Sequence, residues 1–86
     1  MAAVVTLYTM AGNADGDRAR DFLKAKGVAF KERDVGKDPK ASGDLYVLAR
    51  RIFVPTLVIG KKVFAGFAIN QAKVEKALTE ALAKAV

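Results

Sequence analysis

The sequence predicts an α/β fold in which a single domain, over residues 1–86, builds a four-stranded mixed sheet with helices on both faces. The first observation behind this prediction is a run of β-branched residues that opens on Pro55 and closes on Gly60, a pattern typical of a buried strand. The second is a short apolar run over residues 4–9, and the third is helical periodicity between and after these runs. The predicted order is β-α-β-α-β-β-α, with two parallel strands followed by an antiparallel hairpin.

The first strand and the first helix follow from an apolar run and a glycine-bounded amphipathic segment. Residues 4–8 are continuously apolar apart from one threonine, which indicates a central strand buried on both faces. Residues 10–16 contain two glycines and an asparagine and are expected to form a loop. Asp15 and Asp17 then fall where acids complement a helix N-terminus, and Gly27 suits the position just past the helix C-terminus.

The second strand and the second helix are predicted from residues 28–49. Residues 28–35 are short and partly alternating, which predicts a strand. Because a helix separates this strand from the first, the two should pair in parallel with a right-handed crossover. Asp38 is the expected N-cap of the next helix and Pro39 its first residue. The buried face of that helix is predicted to comprise Ala41, Leu45, Leu48 and Ala49.

A hairpin and a third helix complete the chain. Pro55 is expected at the first position of the third strand, and residues 62–65 should form the fourth. Gly60 and Lys61 suit a two-residue turn in which the glycine supplies the positive φ.

Asn70 is the expected N-cap of the third helix, with Ile69 and Val74 forming a hydrophobic staple across it. An apolar stripe follows at helical spacing and is expected to pack on the sheet rather than form a dimer seam. Its members are Val74, Ala77, Leu78, Ala81, Leu82 and Ala85.

The composition excludes several kinds of chemistry. The chain has no cysteine and no histidine, which excludes disulfides and thiolate nucleophiles and removes the side chain that most often transfers protons near neutrality. The net charge of +6 favours acidic partners, although lysines on solvated helix faces account for it without any ligand. No stretch of about 18 apolar residues is present, and the N-terminus carries no leader, so we expect a cytoplasmic protein and no membrane.

Two further patterns are interpreted without a ligand. Residues 13–17 alternate oxygen-bearing side chains around a glycine, but they lack the bidentate glutamate of a calcium loop. Acids at a helix N-terminus explain them better, and no metal site is expected.

Arg50 and Arg51 together with Lys61 and Lys62 suggest a nucleic-acid footprint. Because the hairpin turn places the lysines at the far end from Pro55, nucleic acid is not an expected partner.

In this order, the segments resemble the glutaredoxin family, whose fold is thioredoxin-like. The resemblance covers nearly the whole chain, from about Val4 to Leu82. It rests on the segments VTLYT (5–9), RARDFLKAKGV (18–28), FKERDV (30–35) with KDP (37–39), VPTLVIG (54–60), and the glycine–aromatic pair Gly66-Phe67.

The chain departs from the family in the loop that carries the Cys-x-x-Cys motif. By the resemblance, Asn13 stands in the place of the attacking cysteine and Gly16 in the place of the resolving one. Thiol–disulfide exchange needs a thiolate that attacks sulfur, and neither residue supplies one. The resemblance therefore implies a degenerate member without catalytic residues.

The same resemblance implies that the Val54–Pro55 bond is cis and that a binding groove remains beside it. The main chain of Val54 would then pair in β fashion with an extended peptide or with glutathione, and the N-terminus of the first helix would lie opposite. The predicted ligand-binding residues are Gly12, Asn13, Ala14, Asp15, Arg18, Val54, Pro55, Thr56, Gly66 and Phe67.

The preferred hypothesis is a redox-inactive, monomeric binding or adaptor module that holds an extended peptide or a thiol peptide in this groove. Glutathione is expected to bind no tighter than millimolar, because Ala68 stands where glutathione-binding relatives have an acidic side chain. No other cofactor is expected. The alternatives are an enzyme with a thiol-free, glutathione-dependent activity and a weak polyanion binder.

Overall fold

One mixed sheet organises the computed structural model, which describes residues 4–84. Within that range the strands are β1 (Val5–Thr9), β2 (Lys31–Asp34), β3 (Thr56–Ile59) and β4 (Lys62–Ala65), and the helices are α1 (Ala14–Ala25), α2 (Pro39–Ala49) and α3 (Gln71–Lys84). The sheet order is β2-β1-β3-β4, with β1 parallel to β2 and antiparallel to β3, and with β3 and β4 paired as a hairpin. The predicted fold class is confirmed.

Each face of the sheet carries its own hydrophobic cluster, because neighbouring residues of a strand point to opposite faces. Leu7 and Leu57 pack with α1 and α3 on one face, whereas Tyr8 and Val58 pack with α2 on the other. The cluster with α1 and α3 includes the stripe residues Val74, Ala77 and Leu78, as predicted, and Ala81 packs against it. The side chain of Leu82 and the whole of Ala85 lie outside what the structure describes.

Helix α1 begins earlier than predicted, because Asn13 caps it. The Oδ1 atom of Asn13 accepts the N–H of Gly16 at 2.7 Å, so Gly16 lies inside the helix and not in the expected loop. The C-terminus is as predicted: Gly27 has a φ of 68°, and its N–H donates to the carbonyl of Lys24 at 3.0 Å. The N–H of Val28 donates to the carbonyl of Leu23 at 3.0 Å, which completes a Schellman motif.

Strand β2 is shorter than the predicted span of residues 28–35. Val28 is committed to the cap of α1, and only Lys31–Asp34 pairs with Thr6–Thr9 of β1. The prediction was wrong at the start because residues 28–30 form the connection that brings the chain back to the sheet, and it was one residue too long at the end, where Val35 begins a turn.

Helix α2 begins as predicted but buries less of its predicted face. Asp38 accepts the N–H of Lys40 at 3.0 Å, and Pro39 follows in the first turn. Ala41 and Leu45 are fully buried, whereas Leu48 is 47% exposed. The buried row advances by four residues and therefore drifts around the helix, which leaves Leu48 at its margin.

The hairpin is close to the prediction. Pro55 directly precedes β3 instead of opening it. Ile59 pairs with Lys62 across the predicted two-residue turn, where Gly60 has a φ of 61°.

The entry to α3 differs from the prediction. A 3₁₀ turn at Ala68–Asn70 runs directly into the helix, and the Asn70 amide donates to the carbonyls of Ala65 at 2.8 Å and Gly66 at 2.9 Å. Val74 is buried but Ile69 is 83% exposed. The predicted staple between them therefore does not form, because the 3₁₀ turn directs Ile69 outward.

Candidate functional site

The predicted groove is built from three segments that meet at one end of the sheet: the N-terminus of α1, the loop before β3 and the turn after β4. Long-range hydrogen bonds join them. The Asn13 Nδ2 donates to the Val54 carbonyl at 3.3 Å, the Asp15 carboxylate accepts from the turn after β4, and the Gly66 N–H donates to the Pro55 carbonyl at 2.7 Å. The structure therefore brings together residues that are more than 40 positions apart in the chain.

Both ends of the Asn13 side-chain amide form hydrogen bonds, at the position where the resemblance implies the family's attacking cysteine. Its Oδ1 caps α1 at the Gly16 N–H, and its Nδ2 reaches the Val54 carbonyl across the groove. An amide at this position can donate and accept hydrogen bonds, but it is no nucleophile. Its neighbours Gly12 and Ala14 are exposed, and Gly12 has a φ of 85°.

Asp15 has a structural role that its sequence context did not indicate. Its carboxylate accepts the N–H of Phe67 at 2.9 Å and the N–H of Ala68 at 3.1 Å. These two main-chain donors form a carboxylate-binding turn, and a side chain of the chain itself occupies it. An acid near a helix N-terminus predicts a favourable charge, but nothing in the sequence identifies partners 52 and 53 residues away.

Val54, Pro55 and Thr56 form the floor of the groove. The Val54–Pro55 peptide bond is cis, and Pro55 and Thr56 are fully buried. The Thr56 hydroxyl donates to the Phe53 carbonyl at 2.6 Å, and this bond holds the loop before β3 in place. The N–H of Val54 donates to no other described residue.

Gly16 and Thr9 share the space beneath Asn13. A Cβ on Gly16 would overlap the Thr9 Oγ1. Thr9 is 2% exposed, and its hydroxyl has no hydrogen-bond partner in the described part of the chain. Position 16, where the resemblance implies the resolving cysteine, is therefore closed to a side chain while Thr9 keeps this orientation.

Two aromatic residues beside the groove point into the cores. Phe67 is 4% exposed, and its ring centroid lies 5.1 Å from that of Phe22, so only its main chain faces the groove. Tyr8, in β1, is 4% exposed in the cluster under α2. The guanidinium of Arg33 lies 5.6 Å from the Tyr8 ring, and its hydrogen bond to Asp44 at 2.6 Å is the main cause that raises the pKa of Arg33.

Two exposed apolar side chains lie beside Gly66 at the edge of the groove. Phe53 is 42% exposed and Ile69 is 83% exposed, although Ile69 was predicted to pack in a staple. Arg18, a predicted ligand-binding residue, is exposed on α1 and forms no ion pair with another described residue.

The groove offers hydrogen-bonding groups but no thiol. Its polar atoms belong to an amide, a carboxylate, hydroxyls and main-chain groups. Within residues 4–84, no cluster of three or more acidic residues has the arrangement to hold a metal ion. In the same range, no helix is both long enough and apolar enough to cross a membrane. The arrangement can hold a ligand through hydrogen bonds and apolar contact, with no thiol to attack it.

The fold and the groove together define a thioredoxin-fold protein. The model of the family described as Glutaredoxin matches residues 5–64, and the chain belongs to this family. No curated protein matches the chain in sequence.

Solved structures agree with this assignment. The thioredoxin-like protein BC3987 is 34% identical, with a TM-score of 0.79, over 86% of this chain and 99% of that chain. A glutaredoxin from Archaeoglobus fulgidus is 25% identical, with a TM-score of 0.78, over 88% of this chain and 86% of that one. A buckwheat glutaredoxin in complex with glutathione shares the fold, with a TM-score of 0.73 at 13% identity over 95% of this chain and 78% of that chain.

Proposed function

We propose that this member of the glutaredoxin family is a redox-inactive binding module that holds an extended peptide in the groove beside Pro55. The 86 residues contain no cysteine, so the chain itself cannot carry out thiol–disulfide exchange. The groove keeps its main-chain groups and its frame. Binding without group transfer is the function that such a groove supports best.

The main chain of Val54 carries the proposal. Its N–H has no partner among the described residues, and its carbonyl accepts only the Asn13 amide, at 3.3 Å. A contact of that length is beyond the usual range for N–H···O bonds and is readily exchanged. An extended peptide would pair with both groups as an added strand does.

Glutathione is a poorer candidate for the groove, although a complex of the buckwheat relative contains it. In this chain Ala68 supplies no acidic side chain, and the Asp15 carboxylate already takes the N–H groups of Phe67 and Ala68. Loss of one charged hydrogen bond costs about 1.5–3 kcal/mol, which corresponds to roughly ten- to a hundredfold in affinity. We therefore propose millimolar binding at best, and calorimetry that gives a Kd below about 100 μM would contradict this.

A titration with capped peptides, followed by ¹H–¹⁵N correlation spectra, tests the main proposal. The amides of Val54, Thr56, Gly66 and Phe67 are expected to shift, and N-methylation of the peptide should weaken binding at alternate residues, since β pairing uses every second amide. Shifts confined to the opposite end of the sheet, near Gly60, would contradict the proposal.

A substitution at Asn13 provides a second test with a defined sign. Asn13→Ser retains a capping oxygen but is too short to reach the Val54 carbonyl. Because the peptide would no longer compete with the Asn13 amide, peptide affinity should rise by roughly two- to tenfold, the equivalent of one ordinary hydrogen bond. A loss of affinity would show that Asn13 helps to bind the peptide instead of competing with it.

The setting of this function is also a proposal. We propose that the chain works as a monomer in the cytoplasm, with a peptide segment of another protein as its partner. Light scattering after size exclusion should give the mass of a single chain, and a concentration-dependent dimer would contradict the monomer.

A further inference from the structure

Three large apolar side chains are exposed at the edge of the groove. Ile52 is 48% exposed, Phe53 is 42% exposed and Ile69 is 83% exposed. Single exposed apolar residues are common, but a group of them beside a binding groove marks an interaction surface. Their position suggests that the ligand supplies a matching apolar group.

Phe53 and Ile69 flank a bare stretch of main chain at Gly66. A Cβ placed on Gly66 would lie 3.2 Å from the Cδ1 and Cγ1 atoms of Ile69 and 3.7 Å from the Cε1 atom of Phe53. The side chain of Ile69 therefore packs closely on the Gly66 main chain, and because Gly66 also donates to the Pro55 carbonyl, both side chains adjoin the groove floor. We call the exposed surface formed by Phe53, Gly66 and Ile69 the Phe53–Ile69 patch.

The charge beside the patch is positive. The guanidinium carbon of Arg51 lies 5.3 Å from the centroid of the Phe53 ring, and Arg50 is the exposed residue before it. Neither arginine forms an ion pair with any residue in the range 4–84, so both are available to an acidic ligand.

We propose that the Phe53–Ile69 patch selects acidic peptides: a large aliphatic side chain of the peptide packs on it, and Arg51 pairs with a neighbouring carboxylate. This inference rests on the proposed peptide-binding function and adds the chemistry of the partner. The exposed apolar side chains provide contact area, and the unpaired arginines favour negatively charged ligands over positively charged ones.

A set of three capped hexapeptides tests the inference. The first has the sequence serine-aspartate-leucine-valine-aspartate-serine, the second replaces both aspartates by lysine, and the third replaces leucine by alanine. The titration is followed in ¹H–¹⁵N spectra of the whole chain, which report the Kd and the amides that shift. The acidic leucine peptide should bind about tenfold or more tighter than each of the others, and its advantage over the lysine peptide should shrink as salt is raised.

Two variants with matched controls locate the selectivity. Ile69→Ser should weaken binding of the leucine peptide by about fivefold or more, because it removes apolar contact with the leucine side chain. The affinity for the alanine peptide should not change. Arg51→Ser should remove most of the preference for aspartate over lysine. Val4→Ser and Lys61→Ser are the controls, since Val4 is 64% exposed and its carbonyl accepts the Gly60 N–H at the opposite end of the sheet.

The outcomes separate this inference from the proposed function. Equal affinity for the aspartate and lysine peptides, with the Val54 amide shifting in both titrations, would overturn the inference and leave the peptide groove intact. An equal loss of affinity in Ile69→Ser and Val4→Ser would also overturn it. If none of the three peptides shifts the Val54 amide, the proposed function itself is wrong.

Discussion

A Cβ added at Gly16, in the first turn of α1, would overlap another residue. The overlapping atom is the buried Thr9 Oγ1. Because threonine is stiff at χ1, the hydroxyl moves aside only if the whole side chain changes rotamer. The glycine and the threonine therefore form a matched pair at the position that the resemblance assigns to the resolving cysteine.

This pair leads to a prediction about stability. Gly16→Ala should lower the free energy of unfolding by about 1–2 kcal/mol, because overpacking outweighs the gain in helix propensity. In a Thr9→Ala background the same change should be neutral or stabilising, since the obstructing hydroxyl is gone. Urea denaturation of the four proteins of this double-mutant cycle measures the coupling.

An equal effect of Gly16→Ala in both backgrounds would show that Thr9 does not restrict this position. The cycle also bears on redox chemistry, because the side chain of Gly16→Cys would meet the same obstruction. Restoring a pair of cysteines at positions 13 and 16 would therefore require a change at Thr9 as well.

At this scale the sequence predicted which segments lie close together but not the contacts between them. The resemblance predicted that Asn13 lies near the proline loop, and the Asn13 amide donates to the Val54 carbonyl. The bonds from Asn13 to Val54 and from Asp15 to Phe67 span more than 40 residues. Such contacts depend on how the elements pack, and a short polar side chain gives no local signal of its distant partner.

The N-terminus of α1 is fastened to the turn after β4 by one carboxylate. Asp15→Ala should lower the free energy of unfolding by about 1.5–3 kcal/mol, because the N–H groups of Phe67 and Ala68 lose a charged acceptor. Amide hydrogen exchange of these two residues should accelerate, since their bonds close the turn. Denaturation curves and exchange rates measure the two effects.

Asp17→Asn is the matched control for Asp15→Ala. Asp17 also lies in the first turn of α1, but it is exposed and pairs with the half-buried Arg20 at 2.9 Å. Its removal should cost no more than about 1 kcal/mol from the helix dipole and a surface pair. Equal losses in the two variants would show that charge at the helix end matters and that the contact with the turn does not.

Whole elements were easier to predict than their edges. Asp38 and Pro39 correctly predicted the start of α2, and Gly27 correctly predicted the end of α1, because capping depends on residues within one turn. Leu48 and Ile69 were wrongly assigned to packed positions. A hydrophobic pattern identifies one face of a helix, but the neighbouring elements decide how far along that face burial extends.

The chain as a whole retains the frame of a glutaredoxin and lacks its sulfur. The same frame presents the N-terminus of α1 to the groove, where main-chain N–H groups and the helix dipole favour negative charge. Asp15 and Asp17 oppose this field. Since the Asp15 carboxylate is taken up by two N–H groups of the turn, we expect the net field at position 13 to remain favourable to an anion.

A cysteine introduced at this position tests whether the frame is still able to activate a thiol. In Asn13→Cys, the rate of alkylation by iodoacetamide should reach half its maximum at a pH about one unit or more below that of an exposed control cysteine, because a helix N-terminus stabilises the thiolate. Lys76→Cys, on the exposed side of α3, is that control. With oxidised glutathione, Asn13→Cys should gain the mass of one glutathione, whereas the unsubstituted chain should gain nothing. If the two cysteines titrate at the same pH, the activating field has been lost together with the sulfur, and the groove no longer favours negative charge at this point.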